Sequence, residues 1–99
     1  MARFHVYANA ESGSYLLDVQ ANLLNQLNTR VVVPLLPLDT APQPVKVLNP
    51  VFEIDGVSCL MATQFLAAVP RRLIGNEVLS LEEKAHIIVD ALDCLFQGV

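Results

Sequence analysis

The sequence has no tryptophan, two cysteines, four glycines and six lysines plus arginines among its 99 residues. The shortage of cations bears most directly on function. Nucleic-acid-binding proteins present a basic face to the phosphates, whereas this chain carries a net charge of −4. Residues 1–50 balance Arg3, Arg30 and Lys46 against Glu11, Asp18 and Asp39. The whole excess falls in residues 51–99, where Arg71, Arg72 and Lys84 meet Glu53, Asp55, Glu77, Glu82, Glu83, Asp90 and Asp93. Direct DNA or RNA binding is therefore not expected. The two cysteines, Cys59 and Cys94, lie far apart in apolar sequence and read as reduced, buried thiols. No apolar run approaches the roughly 20 residues that span a bilayer, so no membrane association is expected. Arg3 and His5 interrupt the only early apolar stretch, so no signal peptide is expected and the cytoplasm is the expected compartment.

Chemical motifs are equally sparse. No glycine-rich phosphate loop and no GxSxG element occurs. His5 and His86 have no partners at metal-ligand spacing; Asp90 with His86 makes only a pair. Neither metal nor cofactor is expected. Arg30 with Asp18 or Glu53 could in principle serve ribonuclease chemistry, but an ion pair at strand ends is the commoner use of such residues.

What the chain does have is apolar residues, 54% of the total against 16% charged. Such a surface cannot be charged throughout, and the excess points to a permanent homo-oligomer, because obligate interfaces resemble cores. The length suits one domain over residues 1–99.

Phe4 and Val6 alternate with Arg3, His5 and Tyr7, which predicts a half-buried strand. Residues 9–14 form a turn, and Tyr15 to Gln20 form a second strand paired to the first. Residues 21–28 (ANLLNQLN) present Leu23 and Leu24 between amides, as a loop or short helical turn. Thr29 to Leu35 is continuous and β-branched, the pattern of a central strand, with Pro34 limiting its pairing on one side. The proline-rich residues 38–49 read as a semi-rigid surface loop. Asp55-Gly56 between two alternating apolar runs predicts a two-residue type I′ hairpin. Residues 68–74 read as an edge strand guarded by Pro70, Arg71 and Arg72, and Gly75-Asn76 as a turn.

The last twenty residues are the most patterned. Ser80-Leu81-Glu82-Glu83 has the form of a capping box. The helix after it is apolar except at His86, Asp90, Asp93 and Gln97, which share one narrow stripe. Gly98 suits the position that ends a helix. The predicted class is α+β: a mostly antiparallel sheet of about five to seven strands and one long C-terminal helix.

These blocks resemble the CcdB toxins of plasmid and chromosomal toxin–antitoxin modules. The likeness is carried by Phe4-His5-Val6-Tyr7, Leu17-Asp18-Val19-Gln20 and Arg30-Val31-Val32-Val33-Pro34-Leu35. It continues through Asn49-Pro50-Val51-Phe52-Glu53-Ile54, Met61-Ala62-Thr63, Ala68-Val69-Pro70, Ile74-Gly75 and Phe96-Gln97-Gly98-Val99. It implies an SH3-like β-core with a C-terminal helix, a tight homodimer, and a protein that inserts between the A subunits of DNA gyrase and traps the cleaved DNA complex. It also implies neutralisation by a disordered CcdA-like antitoxin, and action by binding, not catalysis.

By the same resemblance, the gyrase contact comprises Leu23 and Leu24 in the loop, Asp90 and Asp93 on the helix, and the final Gln97, Gly98 and Val99. The family's terminal triplet is typically Trp-Gly-Ile. Gln97 thus replaces an aromatic plane that can stack on arginine with a flexible amide. Two alternatives stand beside this reading. One is an endoribonuclease like the MazF toxins, which share a related fold. The other is a CcdB-fold protein that has lost gyrase poisoning because of Gln97.

Overall fold

The computed structural model describes residues 1–98. Seven strands are found among them: β1 (His5–Asn9), β2 (Tyr15–Asp18), β3 (Thr29–Pro37), β4 (Val51–Ile54), β5 (Val57–Met61), β6 (Ala67–Pro70) and β7 (Ile74–Ser80). A single α-helix, α1 (Ala85–Gln97), follows through a 3-10 turn at Glu82–Lys84. The sheet runs β4-β5-β3-β2-β1-β7, with β6 pairing β3 off this path, and the pairings are antiparallel. This is the expected α+β arrangement of a curled antiparallel sheet and one C-terminal helix.

Local chemistry explains the topology. Asp55 (φ 52°) and Gly56 (φ 81°) both occupy the left-handed region, as the type I′ turn between β4 and β5 requires. One edge of β3 pairs with β2 along residues 32–35. Its other edge is divided, Thr29 to Val32 going to β6 and Leu35 to Pro37 to β5. Pro34 lies in the gap. Its carbonyl accepts from the Ala62 amide at 3.0 Å on that divided side, so the proline nitrogen, which has no proton to donate, also faces the place where β3 changes partner. The sheet is thereby split and curled without leaving a donor unmet in the middle of a ladder.

The expected edge strand over residues 68–74 is broken in two. Ala67–Pro70 pairs with β3, Arg71–Leu73 forms a 3-10 turn, and Ile74 opens β7. Nor is Gly75-Asn76 a turn. Tyr7 opposes Glu77 and Asn9 opposes Ile74, so β7 spends an extra residue there in a bulge. A side chain on Gly75 would place its Cβ 3.0 Å from the Ala8 carbonyl oxygen, so glycine serves a close backbone approach at this point.

The capping box is also replaced. The Ser80 hydroxyl accepts from the amide of Glu82 at 3.1 Å, two residues on, and no side chain caps either helical turn. Glu83, the glutamate at capping-box spacing, makes no side-chain hydrogen bond among the described residues, and the carboxylate of its neighbour Glu82 goes to His5. At the far end Gly98 adopts φ 74° and donates its amide to the Cys94 carbonyl at 3.0 Å, as expected of a glycine ending a helix.

The core gathers Val6, Leu17, Val33, Leu35, Ile54, Cys59 and Met61 from five strands, with Ile88 and Ala91 of α1 laid over them. The proline-rich loop is tied down by Asn49, which donates to the Met61 carbonyl, and by Thr63, which donates to the Leu48 carbonyl.

Candidate functional site

The face with most to offer a partner is built from α1 and residues 21–28. At about 100° per residue, the buried Ile88 and Ala91 point one way and His86, Asp90, Asp93 and Gln97 point the opposite way. His86, Asp90 and Gln97 are exposed and Asp93 is half-buried. The expected polar stripe is therefore real and solvent-facing. Its apolar flanks are only partly covered: Ile87 and Leu92 are half-buried, and Phe96 is 70% exposed.

The loop beside it is polar in sequence yet presents leucines. Asn22–Leu24 forms a 3-10 turn that leaves Leu23 91% exposed. Five side-chain hydrogen bonds hold this projection in place. Asn22 accepts from the Arg3 amide at 2.9 Å, and Gln20 donates to the Leu24 carbonyl at 3.0 Å. Arg30 donates to the Asn25 side chain at 2.8 Å, and Arg71 donates to the carbonyls of Asn25 and Leu27 at 2.6 and 3.3 Å. An apolar residue displayed on a rigid support loses little conformational entropy on binding, which suits an anchor.

Loop and helix meet across a groove of roughly 530 Å³ lined by Val19, Leu24, Leu27, Leu66, Leu92 and Phe96. Leu24 thus stands opposite the helix flank whose next residues are Asp93 and Gln97. Asp90 lies furthest round the helix from this groove, and His86 lies near the helix start, away from Phe96 along the axis. Gly98 ends the stripe, while Val99 lies outside the described residues. A second groove, about 420 Å³, opens on the other flank of the helix between Phe52, Glu53, Leu81, Lys84 and Ile87.

The residues that might support catalysis are committed elsewhere. Arg30 and Asp18 are both 0% exposed; Arg30 donates through Nε at 3.1 Å and also through its terminal nitrogen to the same Asp18 oxygen. The other Asp18 oxygen accepts the Gln20 amide at 3.0 Å. Both nitrogens of His5 are taken by carboxylates, Nδ1 by Glu77 at 2.9 Å and Nε2 by Glu82 at 2.8 Å. Burial pulls this imidazole toward the neutral form, but the hydrogen bonds and charges of the two glutamates outweigh it, so its pKa is raised. Burial also pushes up the Tyr7 phenol, which accepts from the Ala2 amide, and the Cys59 thiol. Cys59 and Cys94 are free thiols, and no group of three or more metal-ligating side chains occurs among the described residues.

Leu27, Leu66 and Phe96 were not marked by the sequence as lining a common groove, because they come from three separate segments. The only available signal was Phe96 itself, an aromatic beside the polar stripe at a helix end.

Comparison with known proteins gives two findings. A family model described as "CcdB protein" matches residues 3–98. Among solved structures, an endoribonuclease in complex with its cognate antitoxin from a mycobacterial species is similar, with a TM-score of 0.77 over 97% of this chain and 94% of that one. The sequence identity is 15%, so this second likeness speaks to the fold alone.

Proposed function

This chain belongs to the CcdB family of toxins from toxin–antitoxin systems, and on that premise we propose that it poisons DNA gyrase by binding the A subunit and trapping the cleaved DNA complex. The observation that carries this reading is the junction of the rigid Leu23–Leu24 projection with the end of α1. Leu23 and Leu24 supply apolar anchors, and Asp90 and Asp93 supply charge for basic gyrase residues. Gln97, Gly98 and Val99 complete the proposed contact. Rim ion pairs of this kind are worth at most about 1 kcal/mol each, so the apolar anchors carry most of the affinity.

Two further partners belong to the proposal. A second copy of the chain covers the groove of Leu27, Leu66, Leu92 and Phe96, forming a homodimer, and a CcdA-like antitoxin neutralises the toxin. The chain acts as a single domain in the cytoplasm, where gyrase works, and no helix among the described residues is long and apolar enough to cross a membrane.

The rival reading, a MazF-like endoribonuclease, draws on the fold shared with the mycobacterial enzyme. Against it stands the sequestration of Arg30, the cation such chemistry would enlist, in a fully buried pair with Asp18.

Purified gyrase decides between them. Added protein is expected to accumulate gyrase–DNA cleavage complexes while leaving RNA intact. Unchanged supercoiling and cleavage at saturating protein would sink the gyrase reading, and RNA cleavage would replace it with the nuclease. A Trp at an interface centre is typically worth about 2 kcal/mol or more. Gln97→Trp is therefore expected to tighten gyrase binding roughly thirtyfold or more. A wild-type protein inert toward gyrase but rescued by Gln97→Trp would identify a CcdB fold that has lost poisoning through this one position.

A further inference from the structure

His5 stands where three elements meet, and its bonding pattern has a stoichiometric consequence. Its Nδ1 is 2.9 Å from a Glu77 oxygen on β7, and its Nε2 is 2.8 Å from a Glu82 oxygen in the turn that leads into α1. A carboxylate only accepts, and a neutral imidazole has one N–H. Both bonds can exist together only when the ring carries two protons. Remove one, and one carboxylate is left facing a lone pair at hydrogen-bond distance.

We propose that His5 is a proton-operated latch: as the imidazolium it ties the edge strand β7 and the start of α1 to β1, and on losing a proton it releases the helix start. Glu82 is the arm that lets go, being 63% exposed against 50% for Glu77, and being carried on a single turn with no side-chain cap. The backbone link beside it is sparse. Leu81 donates to the Phe4 carbonyl at 2.8 Å, and Ser80 accepts from the Glu82 amide.

No other charge competes for the ring. On β1 itself only the Tyr7 phenol lies nearby, and it feels Glu77. Arg3 turns away, with Nε donating to the Val19 carbonyl and its guanidinium over the Phe4 ring. On β2, Asp18 is spent on Arg30. In the turn, Lys84 lines the groove with Phe52 and Glu53, and Glu83 makes no hydrogen bond or ion pair among the described residues.

The two glutamates raise the His5 pKa above its ordinary 6.5. The latch therefore contributes its full stabilisation below 6.5 and loses it as pH climbs through the raised value. It is closed in mildly acid conditions and opens on alkalinisation. Because α1 carries the face assigned above to gyrase, opening would loosen that face; this consequence rests on the proposed function, whereas the latch does not.

Nuclear magnetic resonance of the full chain tests it. Ring ¹H–¹⁵N correlations of His5 are expected to show both nitrogens protonated below 6.5 and a midpoint above it. Amide exchange across residues 83–88, corrected for its intrinsic pH dependence, should accelerate about two- to fivefold through that midpoint, the size of a partly exposed ion pair. His5→Gln should abolish the step, and Glu82→Gln should lower the midpoint and abolish it too. A midpoint at or below 6.5, or an equal step in His5→Gln, would overturn the latch. If His5→Gln does not fold, an unchanged midpoint in Glu82→Gln overturns it. None of these readouts involves gyrase, so failure of the gyrase assay leaves the latch standing, and a flat titration removes the latch alone.

Discussion

Asp18 and Arg30 are 0% exposed, and the pair does two jobs. Its charges satisfy each other in the interior, and its spare hydrogen-bonding capacity reaches outward, Asp18 to the Gln20 amide and Arg30 to Asn25 in the leucine-bearing loop. Removing one partner of a buried pair leaves an uncompensated charge, which costs about 3–5 kcal/mol. Asp18→Asn is therefore expected to lower the unfolding free energy by about that amount in urea titration, whereas a paired Asp18→Leu, Arg30→Met change should recover most of it. The double variant has a second expected effect. Without Arg30 the loop loses its bond to Asn25, so the amides of residues 22–27 should exchange faster even where global stability is restored. A double variant as unstable as the single one would show that the pair is worth more than the charge balance it keeps. The same burial explains why Arg30→Ala is a poor probe of catalysis: it perturbs folding first.

Among elements, β7 shows how one residue type carries different meanings. Gly-Asn favours turns in sequence, yet at Gly75-Asn76 the same pair serves a bulge so close to β1 that a Cβ on Gly75 would lie 3.0 Å from the Ala8 carbonyl oxygen. Gly75→Ala would force a methyl against backbone that cannot move aside cheaply, and about 1–3 kcal/mol of destabilisation is expected by thermal or urea unfolding. A neutral result would mean the bulge can flex. The features legible in sequence were those decided by local conformation. Asp55-Gly56 fixed its hairpin, Pro34 marked the divided edge of β3, and Gly98 ended the helix. Features decided by distant partners were not legible. Ser80 and Glu83 have the spacing of a capping box, but the Ser80 hydroxyl bonds the Glu82 amide instead, where the Glu82 carboxylate is held by His5, more than seventy residues away. Arg71 and Arg72 read as guards on an edge strand, but Arg71 is needed by the carbonyls of Asn25 and Leu27. The polar stripe was legible because it is a period of one helix; the groove was not, because Leu27, Leu66 and Phe96 are adjacent only in space.

At the scale of the molecule, the proposed function divides the apolar excess between two neighbouring surfaces that share Leu24 at their border. Leu27, Leu66, Leu92 and Phe96 line the groove assigned above to a second copy, whereas Leu23 is 91% exposed and is not among its lining residues. Burying a phenylalanine side chain is worth about 1.5–3 kcal/mol, and a two-fold interface counts each residue twice. Phe96→Asp is accordingly expected to weaken the proposed dimer by about two orders of magnitude or more, giving a monomer mass in light scattering at micromolar concentration where the unaltered chain gives a dimer mass. Leu23→Asp should leave the dimer mass unchanged and instead reduce gyrase cleavage complexes at least tenfold, because only the projecting anchor is lost. The pair of variants separates the surfaces in a way neither does alone. If Phe96→Asp stays dimeric, the copies meet elsewhere and the groove is free for another partner. If Leu23→Asp retains full activity on gyrase, the rigid loop is not an anchor, and its five supporting hydrogen bonds serve the fold alone.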